Sequence, residues 1–208
     1  MLCDFDETVV DIDTGILILS KFANGDWRTL DKLYNGDQMP VEEVISRQFA
    51  MVHATKRAML RLVEGSTSLR PGFAALVEAC GGRKFPVVIA SYGLDFCIDR
   101  LLLRAGLRKQ VKVHAPKTKL ASNSIRFTFP ALRHPGSSNL KDDLVRDYRQ
   151  SGYRVVYVGD GASDFPAVKV ADVRFAIKGS RLAQLCDQSG LEFSEVTDFE
   201  PVAKALGL

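Results

Sequence analysis

Met1-Leu2-Cys3-Asp4-Phe5-Asp6-Glu7-Thr8 opens the chain, and the reading of the fold turns on it. A short apolar run breaks into two carboxylates one residue apart and then into a hydroxyl. Read as a buried strand, Leu2-Cys3 brings Asp4 and Asp6 out at its carboxyl end, where open α/β sheets bind their ligands. The same texture returns in Val155-Val156-Tyr157-Val158-Gly159-Asp160-Gly161-Ala162-Ser163-Asp164. Two acid-tipped strands can share one hard cation of the kind carboxylate oxygens favour, Mg2+ among them.

Working outward from Thr8, Ile16 to Phe22 reads as a helix and the pattern stays helical from Asp26 to Glu64. Val41, Val44, Ile45, Phe49 and Val52 recur at three- and four-residue steps, which makes one apolar helix face. No strand interrupts this block, and a helical insert directly after the first acidic tip can close over a site. Arg70-Pro71-Gly72 punctuates the return. Pro86 to Ala90 then reads as a buried parallel strand, followed by Ser91-Tyr92-Gly93 and a helix from Leu94. A hydroxyl and fresh amide donors at a helix start attract phosphate.

Val111 to Val113 and Ile125 to Phe129 alternate like strands, and Ser122-Asn123-Ser124 between them suggests one hairpin. From Leu140 onward helices and strands alternate, so the expected fold is α/β. It is a doubly wound parallel sheet with a small all-helical cap inserted after the first strand. The expected units are residues 1–14 and 70–208 for the core and 15–69 for the cap.

Composition narrows the function classes. The formal net charge of +3 is spread over interleaved acids and bases, which gives no basic face for nucleic acid. No apolar stretch approaches the roughly 20 residues of a membrane span. The N-terminal run breaks at Asp4 and lacks the pattern of a signal peptide, so the expected location is cytoplasmic. Cys3, Cys80, Cys97 and Cys186 show no ligand-like spacing and are expected to be buried thiols. His53, His114 and His134 likewise lack ligand spacing.

On an extended segment Asp4 and Asp6 point the same way. One of two such carboxylates can act as nucleophile and the other as acid and base, with Asp160 and Asp164 completing an oxygen site for Mg2+. In this order, the first acidic motif, Ser91 at a strand end, a lysine, and Gly159 to Asp164 resemble the haloacid dehalogenase-like phosphatases. The resemblance covers the core. It implies a Mg2+-dependent phosphatase for a small phosphorylated metabolite, with Asp4 as nucleophile and metal ligand and Asp6 as acid and base that also lends its carbonyl to the metal. Asp160 and Asp164 are the other implied metal residues. Ser91 and the lysine would hold the phosphoryl group, with the Tyr92 and Gly93 turn beside it.

Lys117, Lys119 and Lys141 compete for the lysine role. Lys141 is preferred because its helix leads directly into the strand that carries Asp160. The turn departs from the family in having Tyr92, where many relatives carry Gly. The helical insert is similar to that of the phosphoserine-phosphatase-like branch, and Phe22 to Trp27, Pro40 to Val52 and His114-Ala115 resemble, within that branch, the 2-hydroxy-3-keto-5-methylthiopentenyl-1-phosphate phosphatases. Asp13 and Arg47 are the substrate contacts this resemblance implies, although it is Gln48, beside Arg47, that falls at the family's arginine position. Phosphoserine is the alternative substrate, and a phospho-accepting regulatory protein on the same scaffold is the alternative function. Oligomeric state is not legible.

Overall fold

The computed structural model describes residues 1–35, 39–83, 85–121 and 124–208. The chain begins with β1 (Leu2–Cys3) and leaves it for four helices, α1 (Thr14–Phe22), α2 (Arg28–Asn35), α3 (Val41–Phe49) and α4 (Lys56–Ser66). It returns through α5 (Phe73–Gly82), β2 (Val87–Ala90), α6 (Asp95–Arg104) and β3 (Val111–His114), and then makes the pair β4 (Lys117–Ala121) and β5 (Ser124–Thr128). The last part runs α7 (Leu140–Gln150), β6 (Val156–Gly159), a 3-10 turn at Ala162–Asp164, α8 (Phe165–Val170), β7 (Val173–Ile177), α9 (Arg181–Gln188), β8 (Ser194–Val196) and α10 (Glu200–Ala205).

The main sheet has the order β3-β2-β1-β6-β7-β8 with every pair parallel. β1 lies between β2 and β6, and the strand order changes direction there, so its carboxyl end opens onto the crevice where such sheets bind ligands. Side-chain alternation explains the two layers of core. Cys3, Val87, Ile89, Val156 and Val158 fill one face, while Leu2, Val88, Ala90 and Tyr157 fill the other. The first of these cores runs without a break into the helical insert through Ile18, Trp27, Phe49 and Met59.

The insert leaves and returns along adjacent chains. Val10 bridges to Leu69, the Asp11 amide donates to the Ser68 carbonyl, and the Arg70 amide donates to the Val9 carbonyl. Arg70 then clamps the first acidic loop by donating to the carbonyls of Glu7, Thr8 and Thr197. That loop needs a clamp, because Glu7 stands at φ +52°, a left-handed conformation a side-chain-bearing residue adopts at some cost.

One expectation changes. Val111–His114 pairs in parallel with β2 at the sheet edge, and the hairpin partner of β5 is β4, with Lys117 opposite Thr128. Alternation marks any half-exposed strand, an edge strand as well as a hairpin arm, so periodicity could not choose the partner. Ser122 and Asn123 of the expected turn lie outside the described residues.

Candidate active site

The register of β1 on β6 brings the two acidic motifs together. Cys3 lies opposite Val158, and the Asp4 amide continues the ladder to the Val158 carbonyl at 3.0 Å. Asp4 and the Asp160–Asp164 turn therefore emerge side by side. One carboxylate oxygen each from Asp4, Asp160 and Asp164 fall within 4.8 Å of one another.

Lys141 is the candidate lysine that the fold brings to this group. Its Nζ donates to Asp4 Oδ2 at 2.7 Å, Ser163 Oγ at 2.8 Å and Asp164 Oδ1 at 2.8 Å. Lys117 lies instead on exposed β4, 3.8 Å from Asp95. Asp142 and Asp143 do not accompany Lys141 into the site. They turn back onto the preceding loop, where Asp143 accepts the amides of Arg133 and His134 and Asp142 accepts those of Ser138 and Asn139. The loop and the first turn of α7 are locked to each other by these charge-assisted bonds.

Asp164 sits at the base of the arrangement. Lys141 Nζ and the Tyr157 hydroxyl donate to one of its oxygens, and the amides of Asp160 and Gly161 donate to the other. Both oxygens are thus committed within the protein. A Cβ on Gly159 would stand 2.5 Å from the Asp164 Cγ, so only glycine lets the carboxylate fold back under the turn. Asp160 keeps its place through the Thr8 hydroxyl, which donates to its Oδ1 at 2.6 Å.

Asp6 leaves the same loop in a different direction. Its Oδ1 accepts the Thr14 amide at 2.8 Å and the Thr14 hydroxyl at 2.6 Å, at the start of α1. Its other oxygen lies so close to Gly93 that a Cβ there would come within 2.6 Å. Ser91 Oγ accepts the Gly93 amide at 2.9 Å, while the residue that precedes α6 as its cap is Leu94. Tyr92 borders the site but packs its ring into the second core, and its hydroxyl accepts the Leu140 amide at 3.0 Å.

Above these groups a cavity of about 190 Å3 opens toward the insert. Asp4, Asp6, Ser91, Gly93 and Lys141 form its floor, and Ile16, Leu19, Val44, Ile45 and Phe49 form an apolar roof with Asp13, Asp31 and Gln48 as its polar points. Asp13 also caps α1 through the Ile16 amide. Arg47 stands apart from this lining. Its side chain is 57% exposed, pairs with Glu43 one turn away at 2.5 Å, and does not line the cavity. A step of one residue turns a helix by about 100°, and it is Gln48 that faces inward, donating to Asp31 Oδ1 at 2.6 Å and to the Trp27 carbonyl.

Burial sets the protonation of the carboxylates. It pushes Asp4 up to about 7, with Lys141 pulling down and Asp164 pushing up. Burial and the charge of Asp13 push Asp6 up to about 8 against the Thr14 hydrogen bonds. Burial, Asp4 and Asp164 push Asp160 up to about 9. Burial likewise raises Asp13, to about 6. For Lys141 burial works against the charge, but Asp164 and Asp4 outweigh it and hold the ammonium above the usual lysine range. The clustered carboxylate oxygens of Asp4, Asp160 and Asp164 form a donor set that fits a hard divalent cation, whose charge would favour the ionised acids.

Thr8, Thr14, Tyr157 and Ser163 hold the acids and the lysine in place, and they were not among the residues expected from the sequence. Thr8 and Ser163 at least lie inside the acidic motifs. Nothing local marks Thr14 or Tyr157, because their partners come from folding.

Among the described residues no helix is long and apolar enough to cross a membrane. The family model described as haloacid dehalogenase-like hydrolase matches residues 1–169. A 2-hydroxy-3-keto-5-methylthiopentenyl-1-phosphate phosphatase of Geobacillus kaustophilus is 29% identical over 212 residues, covering 99% of this chain and 94% of the relative. One of the same name from Brevibacillus brevis is 25% identical over 211 residues, with 99% and 94% covered. Among solved structures, a phospho-aspartyl intermediate analogue of phosphoserine phosphatase superposes with a TM-score of 0.74 at 17% identity, covering 98% of this chain and 96% of that one. A substrate-bound phosphoserine phosphatase complex gives a TM-score of 0.75 at 16% identity, with the same shares covered.

Proposed function

The chain belongs to the haloacid dehalogenase-like hydrolases and is a phosphatase of that family, and from that premise we propose a Mg2+-dependent phosphomonoesterase that works through an aspartyl-phosphate on Asp4. The observation that carries the reading is Lys141, hydrogen-bonded at once to Asp4 and Asp164 at the cavity floor. An ammonium held against the Asp4 carboxylate opposes the effect of burial and favours the ionised form that attacks. It also stands where negative charge gathers as a phosphoryl group approaches. Asp6 is raised further, to about 8, by burial and the charge of Asp13 with no cation beside it, and so keeps its proton to higher pH than Asp4, which suits an acid that protonates a leaving oxygen and then activates water.

Asp4 and Asp160 offer oxygens for Mg2+, and the family resemblance adds the Asp6 carbonyl. Asp164, with both oxygens committed, acts in this reading by fixing Lys141 and the 159–161 turn. When bound, Mg2+ would neutralise and orient the phosphate oxygens. Ser91, with the Tyr92–Gly93 turn, receives the phosphoryl group, and residues 15–69 act as a cap that excludes water. The four cysteines are free and buried, which suits a reducing cytoplasmic compartment.

The roof of the cavity argues for the substrate class. Among the described residues that line it, Lys141 is the one cation, and the wall facing the rest of the substrate is apolar with a few acidic or amide groups. A free carboxylate, as on phosphoserine, would meet Asp13 and Asp31 there with no arginine to receive it. A hydroxyl- or carbonyl-bearing chain with an apolar tail meets suitable neighbours. We therefore favour a substrate like that named for the curated relatives, 2-hydroxy-3-keto-5-methylthiopentenyl-1-phosphate. Asp13 leaves phosphoserine as the second reading, through its ammonium group.

Phosphate release from p-nitrophenyl phosphate, with Mg2+ or with chelator, tests the reaction in wild type and Asp4→Asn. Metal-dependent turnover that the variant abolishes is expected. Equal turnover in folded Asp4→Asn rejects the covalent route. A panel including phosphoserine and the enol phosphate then tests the substrate, with a preference for phosphoserine overturning the argument from the roof.

A further inference from the structure

The helix that carries Lys141 begins with an unusual division of labour. A helix start leaves its first amides without partners inside the helix. Here Asn139 takes those of Lys141 and Asp142 on its side chain and that of Asp143 on its carbonyl. The first amide, that of Leu140, goes to the hydroxyl of Tyr92, forty-eight residues away in the turn beside Ser91.

The ring of Tyr92 has a second set of neighbours. Its centroid lies 6.3 Å from that of Phe129, which stacks on Phe127 at 5.7 Å and 15°. Phe127 in turn meets Phe49 of α3 edge-on at 5.4 Å. Phe127 and Phe129 are two apart on an extended segment and so share a side. Val41 and Ile45 of α3 also pack onto the core cluster that holds Tyr92. A continuous aromatic row thus runs from the roof of the cavity, across the hairpin, to the residue that accepts the first amide of the lysine helix.

We propose that Tyr92 is a positioning residue, whose hydroxyl sets the first turn of α7 and with it the Lys141 ammonium, and whose ring ties that setting to the seat of α3 on the hairpin. The inference rests on the phosphatase reading for its kinetic consequence, though not for its structural one. A hydrogen bond to the residue next to Lys141 controls where Nζ stands between Asp4, Ser163 and Asp164. Because the ring leans on Phe129, the hydroxyl keeps its direction only while the aromatic row is seated.

Tyr92→Phe keeps the ring and removes the acceptor. We expect kcat for p-nitrophenyl phosphate to fall about tenfold, the order a sub-ångström misplacement produces, with KM within twofold and a melting temperature within a few degrees. In a Lys141→Arg background the same change is expected to matter less than twofold, since the effect passes through the lysine. Phe127→Leu should lower kcat in the same direction and combine with Tyr92→Phe less than additively. Undiminished kcat in Tyr92→Phe, or a full tenfold loss in the Lys141→Arg background, overturns the proposal.

The nitrogen resonance of Lys141 Nζ is a readout independent of turnover. A buried, triply hydrogen-bonded ammonium exchanges slowly enough to be seen, and Tyr92→Phe should broaden or shift it. An unchanged resonance overturns the proposal even if Lys141→Arg does not fold. Absence of turnover in the wild type would instead remove the phosphatase reading, and the resonance would still decide the role of Tyr92.

Discussion

Replacing Lys141 by Met tests the centre of the site most directly. Lys141 is 1% exposed and Asp164 0%, and the two meet at 2.8 Å with Asp4 a further 2.7 Å contact. Met keeps most of the volume and the apolar stem, so the loss is chiefly electrostatic. Removing one partner of such a buried pair leaves an uncompensated charge, at a cost of about 3–5 kcal/mol. For a chain of this length each kcal/mol moves the melting temperature by roughly 2–4 °C, which places the expected fall at about 6–20 °C.

The sign with pH is also determined. The ammonium is held above its usual pKa, so its contribution is complete below the ordinary lysine value and fades only as pH rises beyond it. The deficit of the variant should therefore be present across the whole neutral range. Thermal unfolding by circular dichroism at pH 7 reads it, and Mg2+ should recover part of the loss by supplying the missing positive charge. A melting temperature within about 3 °C of wild type in metal-free buffer, equivalent to a loss of only about 1 kcal/mol, would refute the account of Lys141 as the counter-charge of the site.

Other outcomes follow from neighbouring groups. Asp4, Asp6 and Asp160 have folded pKa values raised to about 7, 8 and 9, so the metal-free protein should lose stability as pH climbs from 4 toward 9. Mg2+ should raise the melting temperature more at pH 9 than at pH 5, and an equal rise at both would contradict the assignment of the metal to Asp4 and Asp160. Gly93→Ala places a Cβ 2.6 Å from the Asp6 carboxylate and should lower kcat about a hundredfold with little change in unfolding; wild-type kcat would show that Asp6 has room to move. Arg47→Ala, which removes an exposed ion pair, should shift stability by less than ~0.5 kcal/mol and leave KM unchanged, whereas Gln48→Ala should raise KM for the preferred substrate. The reverse pattern in steady-state kinetics would restore Arg47 to the cavity.

Much of this molecule is legible along the chain. Apolar runs that end in Gly, Asp or Ser mark β1, β2 and β6 and also the points where chemistry gathers, because strand, exit turn and acid are neighbours in sequence. Lys141 could be chosen over Lys117 and Lys119 because its helix feeds β6. Arg47 could not be separated from Gln48, since one position along a helix changes the direction of a side chain by about 100° and only packing sets the rotation of α3. The partner of β5 was likewise beyond reach, as alternation reports exposure and not pairing.

The sequence by itself therefore determined the class of fold, the insertion of helices after the first acidic tip and the residue types available for phosphoryl chemistry. These follow from periodicity and from short spacings. Tertiary structure decided which groups meet: Asp160 beside Asp4 through the register of β1 on β6, Lys141 locked onto Asp164, and the Tyr92 hydroxyl turned toward α7. Each of those contacts joins residues far apart in the chain, and their energies arise only when burial strips away water and leaves buried charges and donors to find one another.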